Sequence, residues 1–486
     1  MSPTPGLSKT RLSYWRQCPK RLWLAAYRKD LIREDPAAEA RFAIGHAVGE
    51  LARQLEPGGL LIGHDNDPGA ALTETRALMA GGVTQPLFEP TFSHDGLLVR
   101  IDLLLPEGDG FHLVEVKSTG SVKDPHLPDA AIQAWVASRD GVELCDVSIA
   151  HLDTSFVYPG NGDYRGILQR ESVLERIVDL QSEVPEWIRG ARETLSGEMP
   201  EIAPGEQCHS PYDCPFQHHC WPLQPDYPVT LLPGIKGKKL ATTLAMDGFT
   251  DLREVPAGRV TDPVLKRIHE VTLSGQSYLD PKLSDTLRTL PFPRYYLDFE
   301  TVSFAIPVWA GTRPFQALPF QWSCHIEPSS GHLGHTEYLD TLGANPIRSF
   351  AESLIVALGT AGPIVVYSAY EKRILGELAQ AFPDLAPQLD ALAQRLYDLL
   401  PLVRNGYYHP AMKGSWSIKA VLPAVAPELD YAALSEVNDG TSAQQAYIEM
   451  IAPNTAVERA SELEKSLRAY CQLDTFAMVR VVQSLQ

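Results

Sequence analysis

Two apolar runs in this chain carry acids where a buried strand should carry none. In LLVRIDLLLP, Asp102 sits among leucine, isoleucine and valine; in RYYLDFETV, Asp298 and Glu300 interrupt an apolar, aromatic strand. An ionised carboxylate buried without a partner is prohibitively unfavourable, so each run must lead its acids to a polar interior site. Side chains alternate along a strand, which puts Asp298 and Glu300 on one face. Two like charges side by side repel unless cations lie between them, and this points to a two-metal site.

The 486 residues suffice for about three domains. A hydrophobic fraction of 44% excludes disorder along the whole chain. There is no apolar stretch of bilayer-spanning length, and the first twenty residues lack the apolar middle of a secretory signal, so a cytoplasmic protein without a membrane partner is expected. Seven cysteines, an odd number, do not suggest a disulfide scaffold; clustered cysteines in that compartment read as metal ligands or reactive thiols. The net charge of −18 argues only weakly against a nucleic-acid partner, because a nuclease needs carboxylates for its metals and basic residues only along the substrate track. Lys9, Arg11, Arg16, Lys20, Arg21, Arg28, Lys29 and Arg33 crowd the first segment; Lys236, Lys238 and Lys239 form a second knot. Solvated helix faces, the commoner fate of charge runs, would explain both.

Apolar spacing predicts helix from Ser8 to about Arg41 with a break at Pro19, and a second helix over 40–54. A hairpin is expected over 97–118, with strand LLVRIDLLLP, turn EGDG and strand FHLVEVKS. Helices follow over 129–138 and 171–195, leading into a cysteine-rich loop from Cys208 to Cys220. Pro222, Pro225, Pro228 and Pro233 mark a boundary, a helical region follows, and LPFPRYYLDFETV opens a second α/β unit.

On the hairpin, Glu115 and Lys117 share a face. If pairing brings Asp102 alongside Glu115, two carboxylates and an ammonium converge, which is equipment for holding Mg²⁺ or Mn²⁺ and activating water against a phosphodiester. Lys117 would then hold the water and offset charge on the phosphate. Here the chain resembles the PD-(D/E)XK nucleases of the RecB-like group. The resemblance implies catalytic roles for Asp102, Glu115 and Lys117, and for Gln133 on the following helix. Ala137 stands where a tyrosine is common. The helix GHAVGELA resembles the family's G-x-x-x-H-E motif with Gly49 at the histidine position, which implies Glu50 as a further metal contact and His46 as a lesser one.

Cys208, Cys214 and Cys220 are evenly spaced in CHSPYDCPFQHHC, and Cys18 lies far upstream. Three cysteines need a fourth ligand. His209, His218 or His219 would complete a Cys₃His zinc site; Cys18 would complete four thiolates suited to iron–sulfur. The opening LSKTRLSYWRQCP resembles RecB-like nucleases that bracket their core with a [4Fe–4S] cluster, which implies Cys18, Cys208, Cys214 and Cys220 as ligands of a structural cluster.

In the C-terminal part, Glu371 lies near a strand–helix junction in PIVVYSAYEKRIL, and Tyr470 and Asp474 are four apart on a helix, hence on one face. This set resembles the DnaQ-like DEDD exonucleases on an RNase H-like sheet. Asp298 and Glu300 match the first motif, and Tyr470 and Asp474 the third. Glu371 stands where the second has aspartate, and Ser368 where it has asparagine. The resemblance implies metals held by Asp298, Glu300 and Asp474, with Tyr470 orienting the water. Asp398 is a reserve carboxylate or a local cap. Between the two parts, LLPGIKGKKLATTLAMDGFTDLREVP resembles a helix–hairpin–helix element, with Gly234 and Gly237 at its turn and Lys236, Lys238 and Lys239 as phosphate-binding charges; a plain linker with a basic turn reads equally well.

The expected organisation is therefore an α/β protein with a PD-(D/E)XK domain and iron–sulfur cluster over 1–224, a helical connector over 225–290 and a DnaQ-like domain over 291–486. The expected function is a Mg²⁺- or Mn²⁺-dependent deoxyribonuclease acting on ends or single strands in repair or defence. A nucleic-acid-binding adaptor with inactive sites, or an RNA-processing exonuclease, are the alternatives.

Overall fold

The computed structural model describes residues 6–33, 36–64, 66–221, 225–429, 431, 434 and 436–486. The chain divides into two compact mixed α/β units: residues 1–222 with 304–316, and residues 223–303 with 317–486. No helix among the described residues is long and apolar enough to cross a membrane.

In unit 1, β1 (Leu7–Ser8) leads into α1 (Lys9–Gln17) and α2 (Pro19–Tyr27), followed by α3 (Pro36–Gln54), β2 (Leu60–Leu61), α4 (Pro68–Ala80), β3 (Leu87–Phe88), β4 (Thr91–His94), β5 (Leu97–Arg100), β6 (Leu103–Glu107), β7 (Gly110–Lys117), α5 (His126–Arg139), β8 (Leu144–Leu152), β9 (Leu168–Ser172), α6 (Leu174–Ser196) and the short α7 (Gln217–Cys220). One sheet has the order β2-β3-β6-β7-β8-β9 and the other β1-β5-β4. β7 and β8 are parallel neighbours, so the chain must cross over between them, and α5 does so. Its alanines 130, 131, 134 and 137 are buried, which lets it lie close to the sheet. Cys18 breaks the first helix in extended backbone, and Pro19 starts the next, a position where proline's missing N–H costs nothing.

The expected single strand through Asp102 is two strands. β5 pairs with β4 in the small sheet, and β6 pairs with β7 in the large one with Leu103 opposite Val114. Asp102 lies at the bend between them, where its carboxylate accepts the Val116 backbone N–H at 2.6 Å. Glu171, expected in a helix, is in β9, and the helix starts three residues later.

Unit 2 contains α8 (Gly234–Met246), α9 (Pro263–Ser274), β10 (Tyr278–Leu279), α10 (Pro281–Arg288), β11 (Arg294–Val302), β12 (Leu318–Ser329), β13 (His332–Leu339), α11 (Ile347–Leu358), β14 (Ile364–Val366), α12 (Tyr370–Ala381), α13 (Ala386–Gln394), β15 (Leu396–Asp398), α14 (Leu400–Gly406), β16 (Tyr407–Tyr408), α15 (Ile418–Val425), α16 (Gly440–Met450) and α17 (Val457–Leu485). Its main sheet has the order β13-β12-β11-β14-β15, with β11 antiparallel to β12 and parallel to β14. Period two divides β11. Leu297 and Phe299 pack with Leu354, Ile374 and Leu389 of α11, α12 and α13, which leaves Asp298 and Glu300 for the opposite face. On that face Ser323 of β12 hydrogen-bonds Thr475 of α17 at 2.9 Å. Residues 225–290, expected as a separate connector, share a core with this unit: Leu244, Leu252, Ile268 and Leu287 are buried with Tyr296, Val365, Tyr408 and Val482.

Candidate functional site

In unit 1 the acids and bases converge on Glu115. Its Oε1 accepts from Lys117 Nζ at 2.8 Å and from Lys9 Nζ at 2.8 Å, and its Oε2 accepts from Gln133 Nε2 at 2.6 Å. Lys117 also reaches Asp129 at 2.9 Å, and Gln133 donates a second hydrogen bond to the Arg100 carbonyl at 3.0 Å. Burial alone would raise the Glu115 pKa, but the Lys117 and Lys9 ammoniums outweigh it and hold the carboxyl well below its usual range. Asp102 moves the other way: burial, then the Glu115 charge, push it up to about 7. Burial would likewise lower Lys117, yet Glu115 and Asp129 raise it.

The structure thus brings together Asp102, Glu115, Lys117 and Gln133. It does not bring in Glu50, which is exposed, paired with Arg53 and accepting from Gln54 at 3.2 Å; the neighbouring guanidinium draws its pKa down. His46 is also exposed. The further acid that acts on Asp102 is Glu89, which follows β3 with a left-handed φ of 58°. Glu89, Asp129 and the contact of Lys9 are absent from the sequence expectation; no local periodicity marks them.

Elsewhere in unit 1, Cys18, Cys208, Cys214 and Cys220 all line one small cavity, with Lys20, Arg21 and Gln217. All are free thiols. Burial raises the thiols of Cys214 and Cys220, and the neighbouring sulfurs Cys208 and Cys18 raise both further. Cys18 therefore joins the three downstream cysteines. His209 is exposed and hydrogen-bonded to Asp213 at 2.9 Å.

In unit 2, ligand oxygens of Asp298, Glu300 and Asp474 all lie within 4.8 Å of one another. They line a cavity of about 840 Å³ with Tyr470, Glu371, Ser368, Tyr367 and Lys419. Burial, then mutual repulsion, raises the carboxyls: Glu300 to about 8, and Asp298 well above its ordinary value. Asp474 is raised by burial although Tyr431 and Lys419 oppose the shift; the Tyr431 hydroxyl donates to it at 2.5 Å. The Lys419 ammonium sits 4.9 Å from the centre of the Tyr470 ring and 5.3 Å from that of Tyr431, within cation–π range.

Glu371 is buried in the same cavity but stands outside the close trio. Burial pushes it up to about 7, and Ser368 donates to it at 3.3 Å. Asp398 accepts the Leu400 backbone N–H at 2.9 Å, the local-cap outcome. Tyr431 and Lys419 are functional candidates absent from the sequence expectation. Lys419 had a weak signal as a lone cation at the start of an apolar helix; Tyr431 had none. On α8, Lys236 is engaged by Asp262 at 3.0 Å, while Lys238 and Lys239 are exposed. Gly237 is buried, and a Cβ there would meet the Leu232 backbone at 2.6 Å.

Residues 295–417 match a family model described as "Domain of unknown function (DUF2779)". That stretch contains Asp298, Glu300 and Glu371 and ends before Lys419, Tyr470 and Asp474. No curated protein matches the chain. Among solved structures, one titled "Crystal structure of SSO0001" is similar at 15% identity, covering 44% of this chain and 85% of that one with a TM-score of 0.24.

Proposed function

We propose that the chain is a metal-dependent nuclease that hydrolyses DNA phosphodiesters at ends or in single strands, with one active site in each unit, in DNA repair or defence against foreign DNA. The observation that carries this reading is the trio Asp298, Glu300 and Asp474, whose oxygens gather within 4.8 Å in a cavity of about 840 Å³. Burial raises all three carboxyls, and crowding adds to the shift of Asp298 and Glu300; divalent ions relieve such crowding, so the trio is matched to them. The D-x-E pair on a central strand and the Y-x-x-x-D pair on a long helix across one sheet face support a DnaQ-like reading of unit 2. The bend at Asp102, the Glu115–Lys117 strand and Gln133 on the crossover helix support a PD-(D/E)XK reading of unit 1.

Asp298, Glu300 and Asp474 would hold Mg²⁺ or Mn²⁺, which when bound supplies an activated water and stabilises the leaving oxygen. Tyr431 fixes the Asp474 carboxylate through its hydroxyl, Tyr470 orients water, and Lys419 faces the charge that builds on the phosphate. In unit 1, Asp102 and Glu115 are the ion-holding pair, Lys117 holds water, and Gln133 fixes Glu115.

The four cysteines fit a [4Fe–4S] cluster as a donor set. Four sulfurs lining one cavity match the all-thiolate set that such clusters take.

Digestion of end-labelled single- and double-stranded DNA and RNA with Mg²⁺ tests the proposal. Loss of single-stranded DNA cleavage in Asp298→Ala supports it. Binding without any cleavage supports the adaptor, and preference for RNA ends supports the RNA-processing reading.

A further inference from the structure

Basic runs are commonly solvated helix faces, yet the Lys9 ammonium of the first segment is turned inward onto Glu115, 2.8 Å from Oε1. That oxygen also accepts from Lys117 at 2.8 Å, so two ammoniums share one buried carboxylate oxygen. A carboxylate oxygen has two lone-pair directions. Oε1 is thereby filled, while Oε2, with Gln133 as its one donor among the described residues, keeps a free direction.

Lys9 is delivered by α1, which is fixed at several points. Ser13, one turn on, donates to Asp129 at 3.2 Å, and Asp129 is the second partner of Lys117. Trp15 Nε1 donates to Thr194 at 3.1 Å, and Arg16 lies 4.1 Å from the Trp187 ring centre. At the far end, Gln17 donates to the Gln207 and Tyr212 carbonyls of the cysteine loop, both at 2.7 Å, and Cys18 follows. A nine-residue helix thus joins the cysteine cavity at one end to the carboxylates at the other.

We infer that Lys9 is a positioning residue of the unit 1 site. Held by α1, it locks Glu115 so that Oε2 alone faces the ion position, and its charge tempers the pull of the carboxylates on a divalent ion. The inference rests on the nuclease reading of unit 1.

The opposed effects on binding and turnover make it testable. In full-length protein carrying Asp298→Ala and Asp474→Ala to silence unit 2, Mn²⁺ binding is followed by electron paramagnetic resonance and DNA cleavage by initial rates. Lys9→Met is expected to bind Mn²⁺ several-fold more tightly while kcat falls about tenfold, the scale of losing a partner that orients a ligand. KM should stay within about twofold, and the visible absorbance of the cysteine site should be unchanged. Lys9→Arg should recover most of kcat. Should Lys9→Met fail to fold, Lys9→Gln carries the same measurements.

Parent-like binding and kcat in Lys9→Met, beside a Lys117→Met control that loses cleavage, would overturn the inference while leaving the nuclease reading intact. Weaker Mn²⁺ binding together with lost kcat would mark Lys9 as a structural prop and also overturn it. A unit 2-silenced parent that neither binds Mn²⁺ nor cleaves would bring down the unit 1 reading itself, and the inference with it.

Discussion

The two carboxylate centres solve one electrostatic problem in opposite ways. In unit 1 the protein supplies the cations: Lys9 and Lys117 lie on Glu115, which stays ionised well below its usual range. In unit 2 three acids crowd together with Lys419 as the nearby cation acting on Glu300 and Asp474, and the carboxyls are pushed up instead. A self-neutralised centre is settled without metal, whereas a crowded one is relieved when a cation enters. The contrast predicts that unit 2 depends more steeply on divalent ions than unit 1 does.

The largest expected effect separates the two. Asp298→Ala and Asp102→Ala should each lower a different nuclease activity by about a thousandfold, since each removes an ion-holding carboxylate and a bound ion is worth several kcal/mol to the transition state. End-labelled substrates distinguish them, and loss of one activity by both substitutions would dissolve the comparison.

Stability against pH sharpens it. The folded-state pKa of Glu300 is about 8, above its ordinary 4.5, so between those values the folded chain binds more protons than the unfolded one. Stability is then full below about pH 4.5 and falls as pH rises through about 8. Glu371 and Asp102, each at about 7, add to the same trend, while Glu115 contributes stability that is lost only in acid. In chelator, thermal melting should drop from pH 5 to pH 8.5, and Mg²⁺ should flatten the curve. Glu300→Gln should flatten it without metal.

A smaller effect falls on Tyr431. Removing its hydroxyl in Tyr431→Phe should cost about tenfold in kcat or metal affinity, as for other partners that orient a ligand, measured against a near-silent change in unit 1 cleavage. Smallest is Lys236→Ala. Its ion pair with Asp262 is exposed on the lysine side, so chemical denaturation should register less than about 1 kcal/mol.

What the sequence disclosed follows from where its physics is local. The D-x-E pair of β11 was readable because period two is enforced by the strand itself, and Tyr470 with Asp474 because one helical turn enforces their shared face. Glu115 and Lys117 were readable for the same reason, whereas Gln133 came only from the family resemblance. The bend at Asp102 was not, because it depends on a long-range hydrogen bond to Val116. Lys9 was indistinguishable from its basic neighbours until the fold brought its ammonium onto Glu115. Tyr431 belongs to no periodic stretch of sequence that would flag it. Glu50 misled because a helical motif position does not say which neighbour claims the side chain; Arg53 does. The connector looked separate because prolines punctuate its edge, yet its apolar residues pack in the same core as Tyr296 and Val482.

The central claim is that Asp298, Glu300 and Asp474 form a cation-holding centre. Crystals of the full-length protein soaked in Mn²⁺ and measured at the manganese absorption edge test it most directly. The account predicts anomalous density between these three carboxylates, lost in Asp298→Ala. Millimolar Mn²⁺ with no density at that position would contradict it.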